Sequence, residues 1–180
     1  MPIYASAGSG TKFTPAPAGT HAAVCCDVVD LGLLTVEWQG QKKQQHKILV
    51  SWQINEDRDD GKPYMVSRRY TCSLHEKSGL RKDLEAWRGR KFTEDELRRF
   101  DVETIVGKPC LLNVIHNESG GDTYANVAGV MALPKGMAAP LVRGYVRKMD
   151  RPETQADAHH EDAPTERAYV EDITADSIPF

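Results

Sequence analysis

Residues 46–54, His46-Lys-Ile-Leu-Val-Ser-Trp-Gln-Ile54, and residues 63–74, Pro63-Tyr-Met-Val-Ser-Arg-Arg-Tyr-Thr-Cys-Ser-Leu74, are joined by the acidic turn Asn55-Glu-Asp-Arg-Asp-Asp-Gly61. Their reading decides the fold. In the first stretch Ile48, Val50, Trp52 and Ile54 recur every second residue. Side chains of a strand alternate between faces, so this period predicts a strand with one apolar face. In the second, Tyr64, Val66, Arg68, Tyr70, Cys72 and Leu74 alternate with Met65, Ser67, Arg69, Thr71 and Ser73. The pair reads as two consecutive antiparallel strands.

Working outward, Thr20 to Trp38 is apolar and β-branched, and Gly32 interrupts it as a bend or bulge would. Gly40-Gln-Lys-Lys-Gln-Gln-His46 reads as a polar, basic loop. After the third strand, Leu80, Leu84 and Trp87 share one helical face, and Gly89 can close that helix. Thr93 starts a second short helix, with Glu96 placed for a capping box and Phe92 and Leu97 for a hydrophobic staple. Residues 108–116 read as a fourth strand, Asn117–Asp122 as a hairpin connection and residues 123–133 as a fifth strand. Three strands, a helical insertion and two strands is the order of an OB-type Greek-key barrel, and a generic α+β domain shares that alternation. The expected fold is mainly β: a five-stranded OB-type barrel with its helical insertion between strands 3 and 4.

The domain plan has three parts. Residues 1–19 are rich in Gly, Ala, Ser and Pro and read as a flexible arm. Residues 20–148 form the folded domain, and residues 1–148 together carry 21 Lys/Arg against 17 Asp/Glu, a balance of +4. Residues 149–180 carry 2 against 9, a balance of −7, and read as a disordered acidic tail. A mildly basic body with an acidic tail predicts an anionic ligand on the body and a separate task for the tail. The N-terminus has no basic flank followed by an apolar run, and no stretch suits a bilayer span, so the expected location is the cytoplasm. Cys25, Cys26, Cys72 and Cys110 form no C-x-x-C pair and read as reduced, mostly buried thiols.

Nothing in the chain has catalytic or metal-ligand spacing. Asp57, Asp59 and Asp60 read as a solvated turn rather than a nuclease's ion site, and His159-His160 as incidental. The expectation is therefore a non-enzyme without a metal or cofactor. Single strands are held by cations that follow the phosphates and aromatic rings that stack on bases. The candidates for these roles are Trp38, Lys42, Lys43, Lys47, Trp52, Tyr64, Arg68, Arg69, Tyr70, His116 and Tyr124. Trp52 fits the core better through its register with Ile48, Val50 and Ile54, Trp38 fits stacking and core equally, and Trp87 reads as packing. Arg81, Lys82, Arg88, Arg90 and Lys91 form a second basic cluster.

The chain ends Asp172-Ile-Thr-Ala-Asp176-Ser-Ile178-Pro179-Phe180. This resembles the C-terminal tip of bacterial single-stranded DNA-binding proteins, a run of Asp closing on Ile-Pro-Phe with a free carboxylate. Asp176, Ile178, Pro179 and Phe180 match, whereas Ala175 and Ser177 stand where acids are usual. The body looks more like the small OB-fold single-stranded DNA-binding proteins of phage replication modules, which would place it in a host cytoplasm. The resemblance implies a protein that binds and protects single-stranded DNA during replication, recombination or repair. Its tip would dock partner proteins through Asp172, Asp176, Ile178, Pro179 and Phe180. The physics of the tip agrees: Phe180 suits an apolar pocket, its carboxylate suits an Arg or Lys there, and Pro179 lowers the ordering cost. A strand-annealing adaptor and a protein-interaction module without nucleic acid are the alternatives, and self-association is open to a single small OB domain.

Overall fold

The computed structural model describes residues 14–152, with the side chain of Trp38 left out. Five strands form one antiparallel sheet: β1 (Gly19–Trp38), β2 (Gln41–Asp57), β3 (Pro63–Thr71), β4 (Pro109–Ser119) and β5 (Asp122–Met131), in the order β3-β2-β1-β4-β5. β1 is the hub. Its first six residues pair with β4, and from Ala23 onward it pairs with β2. β3 and β5, outermost in the order, also approach one another.

One face of the sheet is apolar because the alternation is. Ile48, Val50, Trp52 and Ile54 of β2 point inward with Val66 and Tyr70 of β3, Ala23 and Cys25 of β1, and Leu112 and Val114 of β4. Helix α1 (Gly79–Arg88) covers this face through Leu80, Leu84 and Trp87. Ser78 caps its start by accepting from the Arg81 N–H, and Gly89 ends it in the left-handed conformation, at φ 67°. The Trp87 indole donates to the Pro109 carbonyl at 2.8 Å and its ring lies 6.1 Å from that of Trp52. Helix α2 (Glu94–Arg98) carries the expected capping box between Thr93 and Glu96. Arg88 and Arg90 also pair with Glu96, whose carboxyl is held down to about 2, first by Arg90 and then by the Thr93 N–H.

Several boundaries differ from expectation. All but Gly40 of the expected basic loop 40–46 is strand: β2 starts at Gln41 and pairs with β1 out to Trp38↔Gln41. The two form a two-stranded ribbon that runs beyond the sheet. Its turn places Gln39 and Gly40 at φ 48° and 77°, as a two-residue hairpin of type I′ requires. Polarity alone suggested a loop, but neither face of such a ribbon is buried, so it needs no apolar face. β2 likewise runs on through Asp57, β3 stops at Thr71, and β4 runs to Ser119. The expected arm is packed where it is described. Ala16 is buried in the core, its carbonyl accepts from His116 Nε2 at 2.7 Å, and the Pro17 carbonyl pairs with His21 Nε2 at 2.9 Å.

β1 carries two register shifts, between Cys25 and Asp27 and between Asp30 and Gly32. The second is the bend expected at Gly32, at φ 70°. Cys25, Cys26 and Cys110 are buried free thiols and Cys72 is half-buried. Burial pushes the Cys26 thiol up to about 12. No helix among the described residues is long and apolar enough to cross a membrane.

Candidate nucleic-acid interface

The residues chosen from sequence divide by face. Trp52 is 1% exposed and Tyr70 2%. Both lie on the inner face, so the alternative of packing holds for Trp52, and neither can stack on a base in this structure. This is a correction with a simple cause: even-numbered residues of β2 and β3 point inward. Tyr64 shares that face and packs against the core. Arg68 does too, and its guanidinium is engaged. Its Nη1 pairs with Asp83 of α1 at 2.9 Å while the group lies over the Tyr70 ring, and the Tyr70 hydroxyl donates to the same Asp83 carboxylate at 2.6 Å. Arg68, Tyr70 and Asp83 thus tie β3 to α1.

The odd-numbered positions look outward. Lys47 lies opposite Thr71, Leu49 opposite Arg69, Ser51 opposite Ser67 and Gln53 opposite Met65. Lys47 Nζ donates to Thr71 Oγ1 at 2.8 Å. Lys43 and Gln45 continue the row along the ribbon by the same alternation. Lys42 and Lys43 are exposed, and Lys42 sits across from Glu37. At the base of the ribbon Asp30 accepts from Gly32 N–H at 2.7 Å and pairs with His46 Nε2 at 2.6 Å. These two bonds, the Gly32 amide first, hold the Asp30 carboxyl below the usual carboxylate range. The structure therefore brings Lys43, Lys47 and Arg69 onto one surface, with the ribbon as its extension. His116 and Tyr124 lie on the β4–β5 hairpin, His116 exposed and Tyr124 half-buried. Of Trp38 only the strand position, opposite Gln41, is described. The tip residues Asp172, Asp176, Ile178, Pro179 and Phe180 lie outside the described residues.

A second element meets this outer face, and sequence reasoning did not anticipate it. After β5 the chain returns as an irregular strap, residues 134–151, across β1 and β2. Asp27, 1% exposed, anchors it. Its carboxylate accepts from the Tyr145 hydroxyl at 2.9 Å, the Lys148 N–H at 2.8 Å and Arg147 Nε at 3.1 Å. Arg147 reaches on to both Glu103 oxygens, at 2.9 and 2.7 Å. The Gln53 side chain bonds the Arg143 backbone twice, once through each amide atom, at 2.8 Å. The Arg143 guanidinium pairs with both Asp57 oxygens.

The electrostatics follow. Arg143 holds the Asp57 carboxyl below its ordinary range, and Asp57 raises Arg143 in turn. Glu103 and then Asp27 raise Arg147. Burial, then the bond to Asp27, pushes the Tyr145 phenol up. A buried carboxylate needs donors, and here the strap supplies all three. Between strap and sheet lies a cleft of about 340 Å³ lined by Val24, Ile54, Pro63, Pro140, Leu141 and Arg143 among others. The sequence held one signal: an isolated acid, Asp27, inside an apolar strand, and a basic–aromatic run, Arg143-Gly-Tyr-Val-Arg147-Lys148, in a segment assigned no element.

No group of three or more metal-ligating side chains is found among the described residues. No family model matches the chain, and neither does any curated protein.

Proposed function

We propose that this protein binds single-stranded DNA on the outer face of β1–β3 and along the β1–β2 ribbon, as a five-stranded OB-type domain, and recruits partner proteins through its C-terminal tip. The supporting fold features are the strand order β3-β2-β1-β4-β5, the approach of β3 to β5 and the helices between β3 and β4. OB folds use the region of strands 2 and 3 and the loop between strands 1 and 2 for oligonucleotides. The single observation that carries the reading is the shared outward direction of Lys43, Lys47 and Arg69 beside polar Gln45, Ser67 and Thr71, with no acid in that set. Cations aligned along a polar sheet surface follow a phosphate backbone without reading bases. The tail's role rests on Asp176, Ile178, Pro179 and Phe180 alone.

The test is an oligo-dT titration read by mobility shift and tryptophan fluorescence at several salt concentrations. Binding is expected to weaken by a log–log slope of about −0.7 per phosphate neutralised. Of the three tryptophans, Trp52 and Trp87 are buried. Quenching is therefore assigned to Trp38 and should vanish in Trp38→Phe. An absence of any shift at low salt rejects the reading. It would favour a protein-docking module, which exposed Leu33, Leu141 and Met149 would suit.

A further inference from the structure

The strap is held in an unusual manner for a cover. Its large apolar side chains are left largely exposed: Leu141 is 78% exposed, Met149 72% and Val146 52%. Beneath it lie the polar Asp27, Ser51 and Gln53 and the open cleft, not a packed apolar layer. What holds it is polar: three donors on Asp27, two bonds to Gln53, and two ion pairs, Arg143–Asp57 and Arg147–Glu103. Both ion pairs are partly solvated, and exposed pairs of this kind contribute little net stability. The strap also covers the end of the outer face where Ser51 and Gln53 lie, in line with Lys47 and Leu49. Two of its cations are therefore already at the end of the proposed strand path, Arg143 held by Asp57 and Arg147 by Asp27 and Glu103.

We propose that the strap is a displaceable cover and a second phosphate-binding surface. Arg143 and Arg147 are handed from Asp57 and Glu103 to phosphates of a bound strand, and the strand then gains the Ser51–Gln53 end of the face. This rests on the nucleic-acid reading above. A carboxylate and a phosphodiester oxygen both accept from a guanidinium, so the exchange replaces the bonds to Asp57 and Glu103, while those to Asp27 and Gln53 pass to water. Release of Arg147 also leaves Asp27 open to water, which removes its need for buried donors. A short oligonucleotide that fits the Lys43–Lys47–Arg69 row alone leaves the cover closed.

Limited trypsin digestion of the full chain, read by mass spectrometry, tests this at Arg143, Arg147 and Lys148. Oligo-dT spanning about 4 to 30 nucleotides serves as probe. The expected result is slow cleavage of the free protein, little change with the shortest probes and faster cleavage with the longest. Protection by long probes, or an unchanged rate under conditions where the mobility shift shows full binding, overturns the cover while leaving single-strand binding intact. No mobility shift with any probe overturns both. An independent arm uses Asp57→Asn, which loosens the latch, with Asp59→Asn as a charge control in the same exposed turn. Asp57→Asn is expected to tighten binding of the long probe by about twofold to fivefold. Equal effects of the two variants would reduce the gain to general charge and overturn the exchange.

Discussion

The two faces of the sheet are stabilised by different physics. The inner face is apolar and shape-dependent: Val50, Trp52, Leu84, Leu112 and Val114 are each at most 2% exposed. Where it meets the strap, the outer face is polar and bond-dependent, centred on one buried carboxylate. The strength of apolar packing scales with the area removed from water and has no preferred direction. The latch depends on a few directed bonds that an outside anion can copy. The inner face is thus committed to the fold, while the outer face is open to exchange.

The largest expected effect breaks the inner side. Leu112→Ala, at a fully buried β4 position, should cost about 2–5 kcal/mol in urea unfolding. A cost below 1 kcal/mol would mean the face is loosely packed. Next comes the outer side. Asp27→Asn should cost about 1–3 kcal/mol, because it removes the charge that Arg147 and the Lys148 and Tyr145 donors share. The sharper readout is local: amide exchange should rise across residues 143–148 and not in β4. Uniform acceleration in both would erase the distinction between faces.

A smaller effect probes the rim of the inner side. Thr93→Ala removes the cap of α2 and should cost about 0.5–2 kcal/mol. Its partner Glu96 gives a pH signature. The folded state holds this carboxyl down to about 2 against an ordinary 4.5. A depressed carboxylate stabilises the fold above its unfolded value and loses that contribution as pH falls through the folded one. Glu85, held down first by Arg81, adds in the same direction. Acid titration followed by circular dichroism should therefore show stability declining from about pH 4.5 toward 2. The slope should be shallower in Glu96→Gln, and identical slopes would remove Glu96 from the account. The smallest stability change is expected for Lys42→Gln with Lys43→Gln, within about 0.5 kcal/mol at exposed positions. The same pair should weaken oligo-dT binding and flatten its salt dependence by up to about 0.7 per lysine.

What was legible in the sequence follows the same division. The period of two through Ile48–Ile54 predicted the inner face and identified Trp52 as fit for packing. The Leu80, Leu84 and Trp87 spacing and the Thr93–Glu96 box gave the helices, because these are local signals. The site was less legible. Choosing Tyr64, Arg68 and Tyr70 for the ligand weighed residue type over parity, and the register puts all three on the inner side. The ribbon was mistaken for a loop because Gln41–His46 has no apolar period. The strap was invisible for a different reason: its bonds to the rest of the domain join residues 44 to 121 positions apart, such as Glu103 to Arg147 and Asp27 to Lys148. No short-range pattern encodes those pairings.

The register shift at Cys26 also decides a question of parity. Cys25 lies opposite Trp52 and Asp27 opposite Ser51, with Cys26 left over between them. If the ladder ran regularly, Cys26 would face Ser51, and Asp27 would lie opposite Val50, aimed among aliphatic side chains. The surplus residue is a phase shifter: it turns the acid from the oily side of the strand to the side where the strap's donors lie. Deleting Cys26 should therefore leave Asp27 outward and the ladder regular, whereas deleting Val24 would turn Cys25 outward opposite Gln53 and bring Cys26 opposite Trp52. The tolerance of β1 to length change is set by which residue is lost, not by how many.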